Sequence, residues 1–558
     1  MIRDEIKNII EKVINVADFV VETPKDRLHG DYSTNVALIS AKKLNKNPLE
    51  VAKEILAKIK SPIIERVEVA GPGFINFYLS KDFFIEGMKK IDKNFGRNNT
   101  LKNKKIIIEY TDPNPFKEFH IGHLMSNSIG ESISRILEFH GAKIKRANYQ
   151  GDVGLHVAKA IWGMMKIKEN PKFGSGKIKD LSFAYAYGAK EYESNNSVKE
   201  EIKGINEKVY ERSDKEINKL YNQGKKWSLK HFDEIYRRLG TEFDYYFFES
   251  EVAGIGKKIV EESLKKGIFK KGDKGAIVFK GEKHGLHTRV FINSDGLPTY
   301  EAKELGLAKV KYNRCKYDKS VIVTANEQNE YFKVVLSAMS EVFPDLAQRT
   351  LQIGHGMMRL PEGKMSSRMG QVVTTESLIE KAKELIIQKI ADRGFTAQGK
   401  SVIAEQVAIG ALKYSILKQS IGSNIIYDFE KSISFEGDSG PYLQYSFARA
   451  NSVLEKAKKE KIKSDPNLRI HPNDPNNLER IMIHFPEVVE EAGLKYEPHL
   501  ISSYLIELAR EFNNYYAKNK IVDKNDEFSP YKIALTEAFS IIIKNGLYLL
   551  GINVLNKM

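Results

Sequence analysis

Two clusters of side chains in this chain have types and spacing suited to handling a phosphate group. The first, His120-Ile121-Gly122-His123, follows an apolar run, Ile106-Ile107-Ile108, and a loop with prolines at 113 and 115. Apolar residues at 121, 124, 125, 129, 133, 136 and 137 predict a helix that starts at the motif, with Ser126, Glu131 and Arg135 facing outward. Strand, loop and helix in that order open a doubly wound α/β unit, whose ligands sit where strands end and helices begin. First-turn N–H groups attract an anion there, Gly122 allows close approach, and two imidazoles add donors. Alone, the tetrapeptide also fits a helix cap or a fragment of a metal site. No further Cys or His lies close by in sequence to complete a coordination shell, so no metal site is assigned. The second cluster, Gly363-Lys364-Met365-Ser366-Ser367-Arg368, carries an ammonium, two hydroxyls and a guanidinium on a Gly-flanked loop. A phosphate clamp and a plain charged loop both fit it; the two clusters together are more specific than either alone.

These residues need a scaffold. Residues 142–149 predict a second strand ending at Gln150-Gly151-Asp152-Val153-Gly154, where Asp152 is a ligand or a helix cap. Residues 171–239 are helical and charged, an insertion between two halves of a nucleotide fold. A strand at 243–248 delivers Glu249 and Ser250, and short strands follow at 276–280 and 288–292. A helix from Tyr300 puts Tyr300 and Glu304 on one face, which by itself reads as an exposed pair. A buried parallel strand at 319–324 leads to Glu327 and Gln328, and a last strand at 351–353 runs into the Lys364 loop. Upstream, residues 1–80 form a small α+β module closed by two strands about Gly71-Pro72-Gly73, and a basic segment at 89–105 links it to the sheet. Residues 394–400 are a short polar linker, beyond which everything reads as helical, with a loop at 464–477. The expected division is 1–80, 100–392 with an insertion at about 170–290, and 400–558.

Composition bounds the function. A chain of 558 residues with 42% hydrophobic and 29% charged residues has material for several cores. Lysine and arginine outnumber the acids 88 to 73, a formal charge of +15 that favours a polyanionic partner; a Lys-rich proteome would give the same excess. Cys315 is the only cysteine, which excludes an intramolecular disulfide and a Cys-cluster zinc site and fits a reducing cytoplasm. The N-terminus is an amphipathic charged helix rather than an apolar signal, and no run is long enough to span a bilayer, so a cytoplasmic protein is expected.

Both motifs, with a helical C-terminal region, resemble a class I aminoacyl-tRNA synthetase, and along nearly its whole length the chain resembles arginyl-tRNA synthetases. The likeness rests on Asn114-Pro115-Phe116-Lys117, Phe248-Glu249-Ser250, Asp295-Gly296 with Tyr300, and Gly437-Asp438-Ser439-Gly440-Pro441-Tyr442-Leu443-Gln444-Tyr445. The N-terminal module is similar through Gly30-Asp31-Tyr32 with Asn35 and Ala70-Gly71-Pro72-Gly73-Phe74. The resemblance implies an α/β fold, the Rossmann-type nucleotide-binding fold of that class, with a helical insertion, a small N-terminal α+β domain and a C-terminal α-helical bundle.

It also implies substrates and roles: ATP with Mg2+, L-arginine and tRNA(Arg), no membrane, and a monomer. His120, His123, Lys117 and Lys364 would be catalytic, and Gly122, Met365, Ser366 and Ser367 would join His120, His123 and Lys364 around ATP. Ser367 stands where the class commonly has lysine, and Lys117 is expected to supply the missing cation. Arginine would be held by Asn114, Glu249, Tyr300, Glu304 and Gln328; Glu304 replaces the family's more frequent Asp, the same charge one methylene further out. Tyr442, Tyr445, Arg449, Asn513 and Tyr516 are the candidates for tRNA, each of which also fits a packing or surface role. The competing classes are a cysteinyl or glutamyl enzyme, a small-molecule nucleotidyltransferase, and an inactive tRNA-binding paralogue.

Overall fold

Ile106, Ile107 and Ile108 form the middle of the structure: all three are buried, with Ile106 and Ile108 in one hydrophobic core and Ile107 in another. A strand covered on both faces reads as a continuous apolar run, and in a parallel sheet helices supply both covers. The computed structural model describes residues 2–24, 26, 29–167, 178–360, 373–466 and 476–558. Its central sheet has five parallel strands in the spatial order Thr350–His355, Lys319–Ala325, Lys105–Glu109, Lys143–Gln150 and Tyr245–Phe248. The chain fills one side from the central strand outward, then crosses to fill the other. The carboxyl end of Lys105–Glu109 is therefore the switch point where ligands of such sheets bind.

The helix Ile121–Phe139 leaves that point with 16 of its 19 residues buried. Ser126 and Glu131 do not face outward as the apolar spacing predicts. The sheet lies on one side of this helix and the C-terminal bundle on the other: Ser126 Oγ donates to Val323 O at 2.9 Å, and Ser132 Oγ to Leu549 O at 2.8 Å. Glu131 accepts from Tyr110 at 2.6 Å, Arg135 at 2.7 Å and Arg146 at 2.9 Å, which offsets the cost of its burial. One apolar core runs from the sheet through this helix into the bundle.

The insertion is narrower than expected. Helices Ile178–Ser194, Asn196–Glu211 and Lys215–Leu239 build it around its own core, but Tyr245–Phe248 returns to pair with Lys143–Gln150 in the main sheet. A separate antiparallel sheet, Lys270–Lys271, Ile277–Phe279 and Arg289–Ile292, packs with helix Tyr300–Cys315. The polar stretch at 394–400 is not all linker either, since helix Ala397–Leu417 starts at a Thr396 cap within it. Nor is everything beyond it helical: Ile425–Ile426 pairs with Met358–Arg359. Most of the loop expected at 464–477 lies outside the described residues, as does the whole Gly363 to Arg368 motif with Lys364, Met365, Ser366 and Ser367. Among the described residues no helix is long and apolar enough to cross a membrane.

The N-terminal module docks on the bundle through the residues that carried its resemblance. Asp31 accepts Leu79 N–H at 2.8 Å and pairs with Arg480, and Tyr32 donates to Glu487 at 2.9 Å. Gly30, at φ +92°, lies so close to the next strand that a Cβ would stand 2.6 Å from Phe77 O.

Candidate active site

His120 and His123 cap their own helix. Gly122 N–H donates to His120 Nδ1 at 3.2 Å and His120 N–H to His123 Nδ1 at 3.2 Å, while the rings stack 3.6 Å apart. Ile121 N–H goes to Val373 O and His123 N–H to His120 O. The first-turn donors that the motif offered to an anion are therefore spent on the cap. With both Nδ1 atoms accepting, a neutral ring carries its proton on Nε2, so imidazole N–H groups take over as donors. Burial, with Lys117 adding to it, lowers His120 to about 4; burial, His120 and Lys117 lower His123 further from its ordinary value. Gly122 makes room for the stack, since a Cβ there would stand 3.1 Å from the His120 ring.

Lys117 sits on a loop held in strained backbone. Thr111, Asp112 and Phe116 have φ of 81°, 44° and 70°. The surroundings fix them: Thr111 N–H donates to Ser126 Oγ at 3.0 Å, Asp112 accepts Tyr149 N–H at 2.7 Å, and Phe116 N–H donates to Ser228 Oγ at 2.8 Å. The Phe116 ring fills the space left by Gly224, where a Cβ would lie 2.1 Å from it. Lys117 Nζ stands 5.0 Å from the Tyr185 ring centroid and, among the described residues, has no carboxylate partner.

A second group of charges lies beside it on the same rim. Glu249 Oε2 accepts from Lys303 Nζ at 2.7 Å, and Glu109 Oε2 from Lys311 Nζ at 2.7 Å, all four side chains almost fully buried. Asn114 Oδ1 and Glu249 Oε1 converge on Gly151, whose missing Cβ would stand 2.4 and 3.2 Å from them. Glu304 has no ion pair among the described residues; burial first and then Glu109 push its carboxyl up to about 8, against the pull of Lys311. Burial and Glu109 likewise raise Asp112. The exposed-pair reading holds for Tyr300, which is 59% exposed, and fails for Glu304, which is half-buried. Gln328 sits exposed on the turn after Lys319–Ala325 and makes no hydrogen bond to this group among the described residues.

Three further residues belong to the rim and escaped the sequence reading. Tyr149 has a buried hydroxyl without a hydrogen-bond partner and, after burial, is raised by Glu249 and Glu304. Tyr331 is raised by burial and then by Glu304. His156 Nε2 donates to Gly151 O at 2.8 Å, and burial followed by Lys117 lowers it to about 4. Tyr149 stands directly before Gln150-Gly151-Asp152, which was the available signal; His156 had none. Asp152 proves to be an anchor. Its buried carboxylate accepts from Tyr221 at 2.6 Å, Lys225 at 2.7 Å and Ser250 Oγ at 2.7 Å, tying the insertion to the strand end that presents Glu249.

The five candidate tRNA residues lie together on helices Gly440–Glu460 and His499–Lys518. Asn513 donates to Tyr442 OH at 3.0 Å and accepts from Arg449, whose guanidinium lies 4.8 Å from the Tyr445 ring and 5.2 Å from that of Tyr516. Arg393 adds a second guanidinium, 5.7 Å from Tyr445.

Known proteins match this chain along nearly its whole length. The family model for the class I (R) tRNA synthetase catalytic domain matches residues 88–429, the DALR anticodon-binding domain 443–558, and the arginyl-tRNA synthetase N-terminal domain 1–79. The arginine–tRNA ligase of Fusobacterium nucleatum is 31% identical over 534 residues, 95% of this chain and 93% of that one. The fold is that of the Thermus thermophilus arginyl-tRNA synthetase, at a TM-score of 0.82 and 22% identity with 100% of both chains covered. The Plasmodium falciparum enzyme gives 0.80 at 21% identity, covering 100% of this chain and 98% of the other. Three family models in the order of the fold, and a curated relative aligned almost end to end, make this chain a member of the class I arginyl-tRNA synthetase family.

Proposed function

We propose that this chain joins L-arginine to the 3′ end of tRNA(Arg) in two steps at the rim beside Lys105–Glu109. The arginine carboxylate attacks the α-phosphorus of ATP and pyrophosphate leaves; the terminal ribose hydroxyl then attacks the adenylate carbonyl and releases AMP. Negative charge grows on phosphate oxygens in the first step, and fixed donors aimed at it provide most of the acceleration. The Nε2–H groups of His120 and His123 are such donors, pre-oriented by the cap and neutral at physiological pH. Lys117 supplies the fixed positive charge, which Ser367 cannot. Lys364 with Ser366 and Ser367 completes the pyrophosphate side, and Gly122 leaves space for the nucleoside. Magnesium enters on the phosphates of ATP; among the described residues no three His, Cys, Asp or Glu side chains are placed to hold it.

One observation carries the arginine assignment. Four carboxyl groups, Glu109, Asp112, Glu249 and Glu304, face two buried lysines, and an orphan tyrosine hydroxyl stands beside them. Such a pocket lacks a cation with several planar donors, which describes a guanidinium. Citrulline would leave the carboxylates unpaired and is rejected on that ground. The Arg449, Tyr442, Tyr445, Asn513 and Tyr516 cluster supports splayed anticodon bases by stacking and edge hydrogen bonds. ATP–pyrophosphate exchange tests the reading. Exchange that depends on arginine, and not on cysteine, glutamate or lysine, is expected; exchange with another amino acid, or none with or without tRNA, overturns it.

A further inference from the structure

Lys303 lies between two expected arginine ligands, Tyr300 and Glu304, yet its ammonium already occupies the third. Its Nζ is 2.7 Å from Glu249 Oε2, with the two side chains 5% and 6% exposed. Two aromatic rings flank it, Tyr300 at 4.9 Å and Tyr210, from the insertion, at 5.7 Å. The other Glu249 oxygen faces Gly151 beside Asn114 and accepts no hydrogen bond among the described residues, so half of the carboxylate is taken. The pair Glu109–Lys311 differs in setting: Lys311 Nζ also reaches Ser320 Oγ at 3.5 Å, and no aromatic ring lies over it among the described residues.

We infer that Lys303 is a specificity-determining residue, an internal stand-in for the substrate's side-chain cation that an incoming amino acid must displace from Glu249. The inference rests on the arginine reading of this pocket. Exchanging one ammonium for another gains no new hydrogen bond and adds the entropic cost of ordering the guest. A guanidinium brings two parallel N–H groups to both carboxylate oxygens and a flat face for Tyr300, which a point charge cannot match. Lysine and ornithine are thus refused by competition with a residue of the protein, in addition to any misfit of shape. Displaced from Glu249, Lys303 keeps the Tyr210 and Tyr300 faces as partners, so its charge is not stranded.

The full chain with Lys303→Met and with Lys303→Arg provides the test, read as kcat and KM for tRNA charging with arginine and with lysine. In Lys303→Met the vacant carboxylate accepts any cation, and the arginine-over-lysine ratio of kcat/KM should fall about tenfold or more. In Lys303→Arg the new side chain grips Glu249 with its own fork, and KM for arginine should rise about tenfold while kcat stays within about twofold. A merely structural ion pair would behave the other way: Lys303→Arg would restore normal kinetics, and Lys303→Met would lower charging with both amino acids in proportion. Unchanged arginine KM in Lys303→Arg overturns the inference, and that variant decides alone if Lys303→Met does not fold. Failure of the unaltered protein to charge arginine would instead sink the arginine reading itself.

Discussion

The two ends of the site handle charge in opposite ways. At the proposed nucleotide end, where the ligand would be a polyanion, the protein places two neutral imidazoles with their first-turn backbone donors already satisfied and, among the described residues, adds the cation Lys117. At the proposed amino-acid end, where the ligand would be a cation, it packs four carboxyl groups against two lysines, and Glu304 has no ion pair among the described residues. The imidazole donors of the first end are set by the helix cap and need no rearrangement when charge develops. The second is complete only with a guest, and its empty state is held together by stand-ins and by protonation.

This contrast sets the order of expected effects. Glu249→Gln removes the buried charge proposed to meet the guest and takes from Lys303 its carboxylate; kcat/KM for arginine should fall about a thousandfold, mostly through KM. A loss below about tenfold in steady-state charging would mean that the acidic end does not read the amino acid. Lys117→Ala acts at the other end. It should lower the rate of pyrophosphate exchange about a hundredfold and leave KM for arginine within about twofold; equal changes in both parameters would erase the distinction between the ends.

A pH series sharpens the comparison. Glu304 is neutral below about 8 in the empty pocket, raised by burial and by Glu109, Glu249 and Glu301 against Lys311. A guanidinium favours its ionised form, so arginine binding releases a proton and tightens as pH rises. KM for arginine should drop about tenfold between pH 6.5 and 8.5, and Glu304→Gln should flatten that slope. His120, lowered to about 4 with His123 also lowered, titrates outside this window, and the nucleotide end should show no matching dependence. The smallest effect is expected far from both ends. Asn513→Ala breaks the polar centre of the Arg449 cluster and should raise KM for tRNA about threefold without altering that for arginine.

How far the sequence led can be seen in single residues. The strand at 106–108 and the helix from 121 were legible because apolar periodicity carries them. Helix Tyr300–Cys315 was legible as a helix but not in its environment: Glu301, Lys303 and Lys311 are buried, where polar spacing reads as a wet surface. Only their partners, Arg289, Glu249 and Glu109, explain it, and the latter two lie 54 and 202 residues away. Asp152 was ambiguous for the same reason, because Tyr221 and Lys225 come from the insertion. The backbone-donor account of His120-Ile121-Gly122-His123 failed because residue types do not reveal which way an imidazole turns, and both turn back on the chain.

The docking of the N-terminal module has a mechanical consequence. Asp31 and Tyr32 join it to Arg480 and Glu487. The tether is seated as well: Phe95 stacks on Phe485, and Phe95 O accepts from Asn545 at 3.0 Å. The outer modules thus close a ring with the sheet, like a three-bar linkage in which each joint is braced by the other two. With the backbone cut between 89 and 105, these contacts would still hold the module against the bundle.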